Sequence, residues 1–297
     1  MPSWSSFQPF IPIGLAAGGV YALSGVGMVV LYRATGVLNL AFGAIGAMGA
    51  LIAWSMINSW HVPAGLAYVV CVLFGGVATL LYGMVFGRLL AARDPLVKAA
   101  ATLGLALLLL GLMNRLWPAQ VTRSISLPSD NSGFNVGQVS VDWTQVIAVG
   151  FGIAMTAGTA IFLRVTKLGT AMRAMADDRE ITATLGVPVR RVEAAAWFGS
   201  GLLAGAAGLL LADLVTLASD ALTFIVIFTL SAALIARLRS LTVTFVAAIV
   251  IGLVDNMISP ITSIANFRDM TPFVLAVAAL LFFARGRQYS FARGGIR

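Results

Sequence analysis

The chain has 297 residues, of which 60% are hydrophobic and only 10% charged, and its mean hydropathy is +0.97. A soluble domain covers itself with roughly a quarter charged residues, so this composition excludes a water-covered protein and points to lipid as the solvent of much of the surface. The formal charge of +8 comes from basic residues set singly or in small groups between apolar stretches, which argues for orientation in a membrane and against nucleic-acid binding.

The first 32 residues hold no Lys or Arg. A secretory leader begins with a basic region, so the first apolar stretch, 9–31, reads as a retained span whose N-terminus lies outside. Further apolar stretches fall at 36–57, 62–86, 96–114, 144–163, 194–212, 221–236, 241–258 and 271–284. Crossing hydrocarbon takes about 20 residues of helix, and these runs do not alternate every second residue as a transmembrane barrel requires. A helix also satisfies its own backbone polar groups in lipid. The expected fold is an all-α integral membrane protein, a polytopic bundle of about nine (eight to ten) transmembrane helices forming one permease-like domain over 1–297. The last three stretches are short or closely spaced, hence the range.

The links differ in character. Asn58–Pro63 is short and polar and holds His61, an exposed loop histidine by this reading. The outer link, 117–143, carries Pro118, Pro128, Gly133 and Gly137 and reads as an irregular polar segment. The inner link, 164–193, holds most of the charge and has helical composition from Leu168 to Leu185, with Ala176 and Ala183 on one helical face. Gly186 is placed to end that helix in a left-handed conformation.

With nine spans and the N-terminus outside, Arg33, Arg88, Arg93, Lys98, the six basic residues of 164–193, Arg237, Arg239 and the four C-terminal arginines all lie inside, sixteen of nineteen. Flipping the chain inverts that ratio, so the bias toward a basic cytoplasmic side fixes the orientation and favours an odd count, with the C-terminus cytoplasmic. Gly14 and Gly18, Gly201 and Gly205, and the series Gly43, Gly46 and Gly49 have spacings that let helix backbones approach closely.

Reactive groups are scarce. One cysteine, Cys71, and one histidine, His61, exclude an internal disulfide, a thiolate zinc site and the H-E-x-x-H metal motif. Gly199–Ser200–Gly201 has nucleophile-turn spacing, but His61 would have to serve as base from an outer link, and the two must lie within hydrogen-bond reach. No metal and no cofactor is expected, and no enzymatic activity. Ion-driven pumps carry ionisable groups deep in their spans. Asp213, Asp220 and Asp269 sit near outer ends, and only Asp255, beside Asn256, is deeper, as a helix-end cap or part of a polar lining. There is no phosphate-binding G-x-x-x-x-G-K-[ST] loop. If transport is active, its energy arrives from another subunit, and the charged inner link is the natural receiver.

That inner link carries a resemblance. Leu168, Gly169, Ala171, Arg173, Ala174, Ala176, Asp178, then Thr182 or Ala183, Gly186 and Val187 match an L-G-x-A-x-R-A-x-A-x-D segment followed by A-x-x-x-G-[IV]. The chain thereby resembles the LivH-type permeases of branched-chain amino-acid ABC importers, in which this segment is the cytoplasmic coupling loop that docks on the ATPase. Gly18 to Leu23 and Gly36 to Gly43 resemble two further elements of that family, with Leu40 and Phe42 departing from its pattern. Arg88 to Pro95 resembles the loop before the fourth span. Between Ala232 and Thr242, where the family carries a glycine-rich stretch, the glycines are gone and Arg237 and Arg239 stand instead.

The resemblance implies a transport subunit of a bacterial inner membrane, embedded in lipid. Its partners would be a second, homologous permease subunit, two cytoplasmic ATP-binding subunits and an extracytoplasmic solute-binding protein. The residues expected to serve ATPase coupling are Arg173, Asp177, Asp178, Glu180, Ala183 and Gly186, and those expected in the translocation pathway are Asn39, Phe42 and Gly43. A permease for urea, short amides or aromatic acids would share these motifs. An ion-coupled carrier or a passive channel is the alternative of a different class.

Overall fold

Apolar runs of this length become helices because each backbone N–H then finds its acceptor inside the same segment. The computed structural model describes residues 4–90, 93–118, 123–125, 133–136, 139–215, 217–261 and 265–281. After a single turn, α1 (Trp4–Phe7), the chain runs through α2 (Phe10–Thr35), α3 (Phe42–Asn58), α4 (Ala64–Leu89) and α5 (Pro95–Leu116). A hairpin of β1 (Gly133–Val136) and β2 (Val139–Asp142) precedes α6 (Trp143–Val165). The inner link holds α7 (Lys167–Asp177) and α8 (Arg179–Thr184), and α9 (Val189–Leu214), α10 (Ser219–Ile235) and α11 (Leu241–Ile258) follow. A 3-10 turn, Ala265–Met270, leads into α12 (Thr271–Leu281). Each of the nine apolar stretches is a helix. Among the described residues, six are long and apolar enough to cross a membrane (α2, α4, α5, α6, α9 and α11), while α3, α10 and α12 are shorter.

The layering is set by which helix buries all its faces. Most of α2 is buried, 83% of its apolar window against 22% for α5 and α6, so α2 is the central post. It packs most extensively on α11 and then on α9 and α6, while α4 and α3 close on α9. The outer helices expose Leu73, Val77, Leu81, Leu107, Leu108, Ile153 and Ile161, an apolar rim suited to lipid.

The helices meet where side chains vanish. A Cβ on Gly18 would lie 2.7 Å from the Ile249 Cα, and one on Gly205 2.7 Å from the Cys71 carbonyl oxygen. One on Gly46 would lie 2.6 Å from the Ala204 carbonyl oxygen. Each distance is well inside the 3.5–4.0 Å of ordinary carbon contact, so the small-residue spacings mark true backbone crossings.

Four expectations change. The second span begins at Phe42, not at residue 36. Gly36 ends α2 at φ 69, donating its N–H to the Tyr32 carbonyl at 2.7 Å, and the next five residues form a link. The outer loop is not wholly irregular, since β1 and β2 pair antiparallel, Phe134 opposite Val141; residues 119–122, 126–132 and 137–138 lie outside the described part. Asp255 does not cap a helix end, since α11 runs on to Ile258 and its C-cap is Ser259. Asp255 is 1% exposed and takes a two-point ion pair from Arg268, Nε to Oδ1 at 3.0 Å and Nη2 to Oδ2 at 2.8 Å. The fourth change, in the inner link, is described below.

The Asp255 pair makes a first prediction. Breaking a buried pair by removing one partner costs about 3–5 kcal/mol, and the Arg268 side chain is 39% exposed, so water recovers part of that. Arg268→Ala should destabilise by about 1–3 kcal/mol, read as a lower melting temperature of the detergent-purified chain. Asp255→Asn/Arg268→Gln should recover most of the loss, because neutral amides leave no uncompensated charge. A double variant that melts below Arg268→Ala would contradict this assignment.

Candidate functional site

Two regions hold the residues singled out by sequence. In the first, the link between α2 and α3 is pinned by side chains. Asn39 Oδ1 accepts from the Ala41 N–H at 3.0 Å, and the Leu40 N–H donates to Thr102 Oγ1 on α5 at 3.0 Å. Asn39 is 1% exposed, and its Nδ2 has no hydrogen-bond partner among the described residues. An unmade buried bond costs about 1–3 kcal/mol, so the amide is a donor held ready without an acceptor. Phe42 is also buried, its ring lying over Gly27. Gly43 meets the Leu222 and Thr223 carbonyls of α10.

Phe42 and Gly43 help line a cavity of about 10 Å³ walled by Ser24, Gly46, Ala204 and Leu222 among others; Asn39 does not line it. That volume is about one water. A space of that size does not hold a solute as large as an amino acid.

The second region is the inner link. A single helix over Leu168 to Leu185 was expected, and two are found. Asp178 is extended, φ −153 and ψ 113, and its Oδ1 accepts from the Ile181 N–H at 2.9 Å. Aspartate competes poorly as an interior helical residue and well as an N-cap, so it ends α7 and starts α8. Ala176 and Ala183 therefore belong to different helices and share no face. Gly169 explains the opening of the segment: a Cβ there would lie 2.5 Å from the Leu163 Cα, where α7 folds back on α6. Thr166 caps α7 by accepting from the Gly169 N–H at 2.9 Å.

Within α7, Met172 and Met175 are buried and Arg173 is half-buried, its Nε without a hydrogen-bond partner among the described residues. Asp177, Asp178, Glu180, Ala183 and Gly186 are all exposed. Glu180 sits in the first turn of α8, where the helix dipole favours a negative charge. Thr182 turns inward, 3% exposed, its hydroxyl donating to the Asp178 carbonyl at 2.6 Å. Ala183 is thus the outward residue of the pair left open by the motif. Gly186 has φ +82 and donates its N–H to the Ala183 carbonyl at 3.1 Å, the left-handed stop expected of it. Arg179 binds Glu193 of α9 at 2.6 Å.

Sequence reasoning missed two residues of this link. Ile181 is 59% and Leu185 77% exposed. Four apart, they point the same way from a short helix. Their spacing was the available signal, hidden because an apolar pair in a membrane chain draws no notice. Two large apolar side chains on a charged, capped, tethered helix form a small knob of the kind a partner buries. Among the described residues, no cluster of His, Cys, Asp or Glu could hold a metal ion.

Residues 10–284 match the family model described as branched-chain amino acid transport system / permease component. The chain is 24% identical over 289 residues to the high-affinity branched-chain amino acid transport system permease protein LivH of Escherichia coli, covering 92% of each chain. It is 22% identical over 297 residues to the permease protein BraD of Pseudomonas aeruginosa, covering 95% of each. A probable LivH permease of Methanocaldococcus jannaschii is 23% identical over 245 residues, 80% of this chain and 76% of that one.

Proposed function

The chain belongs to the branched-chain amino acid transport permease family, and from that membership we propose that it is the membrane subunit through which an ATP-driven importer passes branched-chain amino acids. It forms one permease domain over 1–297 with the coupling loop at 164–193. It pairs with a second, homologous permease, two cytoplasmic ATP-binding subunits and an extracytoplasmic solute-binding protein. All nine apolar helices cross the bacterial inner membrane with the N-terminus outside, which puts sixteen of nineteen basic residues in the cytoplasm. α3, α10 and α12 span with local thinning or end-on polar links.

The observation that carries this reading is the α7–α8 unit. It is a rigid, tethered knob outside the apolar bundle, with Ile181 and Leu185 uncovered and Asp177, Asp178 and Glu180 beside them. Ala183 and Gly186 lie exposed on it, and Arg173 backs it, half-buried. When the ATP-binding subunits close, force on the knob reaches α6 and α9 through Gly169 and the Arg179–Glu193 pair. Asn39, Phe42 and Gly43 belong to the path that opens. Affinity for solute must differ between the two states for net transport.

The test is accumulation in proteoliposomes holding the full complex, with labelled leucine, isoleucine, valine, urea, acetamide and benzoate. Leucine-class solutes should accumulate against a gradient only with ATP. Accumulation of urea or benzoate alone would move the substrate class, and uptake persisting without the ATP-binding subunits would replace the mechanism with an ion-coupled one.

A further inference from the structure

A cavity of about 750 Å³ opens among two helix ends and a turn. Its walls are the last turn of α2 with its Gly36 cap, the end of α7 with Arg179, and the turn between α10 and α11. Among the described residues, Arg33, Arg179, Arg237 and Arg239 line it, against one lining carboxylate, Asp177. Arg179 is paired with Glu193. Arginines thus outnumber carboxylates on the described walls. Arg33 Nη1 donates to the Arg239 carbonyl at 3.2 Å, which holds the α2 end against the turn.

The turn itself is unusual. Arg237 and Leu238 are consecutive non-glycine residues in the left-handed region, φ 52 and 55, a conformation that L residues resist and glycine adopts freely. It is closed by bonds from the Arg237 N–H to the Leu234 carbonyl and from the Leu238 N–H to the Ala233 carbonyl, each 2.8 Å. Its shape asks for glycine, and the chain supplies arginine. Strain kept in this way is a pointer to function.

We propose that this cavity binds a phosphate-bearing small molecule. One guanidinium satisfies a carboxylate at two points, whereas several arginines lining one cavity suit an anion with more charge and more acceptor oxygens. The volume lies within the range of small-molecule sites, about 300–1,000 Å³, far above that of a bare ion. The phosphate comes either from a phospholipid headgroup or from a soluble phosphate ester. The proposal stands on this geometry and not on the importer reading.

The test uses the full chain in phosphatidylcholine nanodiscs. Glycerol 3-phosphate and acetate are titrated calorimetrically, and retained phosphatidylglycerol is counted by native mass spectrometry. Glycerol 3-phosphate should bind saturably and acetate much more weakly, and Arg237→Gly/Arg239→Gln should weaken binding at least about tenfold. Arg190→Gln/Arg191→Gln, on α9, should bind as the parent does. Arg237→Gly alone suits the turn and should melt no lower than the parent, so a loss of binding there is not a loss of fold. Retention of phosphatidylglycerol without glycerol 3-phosphate binding supports the headgroup as source, glycerol 3-phosphate binding without lipid retention supports a soluble ester, and binding of both supports the phosphate chemistry they share. Binding of neither, acetate binding as tightly, or an unaffected double variant overturns the proposal. So does weakened capture of the ATP-binding subunits by the double variant with no phosphate bound, which would make the cavity a seat for protein.

Discussion

Gly252→Val is expected to remove most of the folded protein. α2 and α11 form the most extensive helix pair in the molecule, and they cross backbone to backbone at Gly252. A Cβ there would lie 2.6 Å from the Gly18 Cα and 2.7 Å from the Gly14 carbonyl oxygen. Neither atom is the end of a flexible side chain, so neither can swing away. The helices must part by about 1 Å before even the first carbon reaches ordinary contact, and valine adds two more. Overpacking costs about 1–3 kcal/mol where side chains can adjust; here the cost should reach or exceed the top of that range. Because α2 also carries α6, α9 and α10, the parting spreads through the bundle. The readout is the monodisperse fraction on size exclusion and the melting temperature. Gly158→Val is the matched control: a Cβ on Gly158 of α6 meets nothing within 4 Å, and that variant should behave as the parent. Equal damage from both substitutions would mean that added bulk, not this crossing, is what the chain resists.

That contrast also marks what the sequence discloses. The nine apolar helices among the described residues were legible because apolar length is a one-dimensional signal, and α2 and α5 display it equally. Which of them is central was not legible. Both are apolar on every side, and only packing distinguishes the buried post from the lipid-facing wall. The spacing of Gly14 and Gly18 announced a close approach, but not that Gly252 was its partner. Asp255 was visible as the deepest carboxylate. Its partner Arg268 lies thirteen residues on, where no periodicity connects the two. In the inner link, the stop at Gly186 was readable because few residues besides glycine adopt φ +82. The break at Asp178 was not, since the same aspartate reads equally as an exposed helical residue until its carboxylate is seen on the Ile181 N–H.

The second large effect follows from that break. By making α8 a separate helix, Asp178 frees it to leave the axis of α7, and Ile181 and Leu185 are set outward as a pair. Ile181→Asp/Leu185→Asp should leave expression and melting temperature near the parent's, because both side chains are already in solvent and neither is buried against the bundle. ATP-driven uptake should fall at least about tenfold, since central apolar anchors of an interface each contribute about 2 kcal/mol or more and two buried carboxylates would oppose docking. Gly186→Pro should act on the same surface by another route. Proline holds φ near −65° and has no N–H, so it loses both the left-handed turn and the bond to the Ala183 carbonyl, tilting α8 without changing its outward face. Both variants should insert normally and fail to stimulate ATP hydrolysis by the assembled complex. If the aspartate pair transports normally while Gly186→Pro does not, the shape of the link matters and its apolar knob does not, and the docking surface shifts to Asp177, Asp178 and Glu180. Normal uptake by both would end the assignment of this loop to coupling.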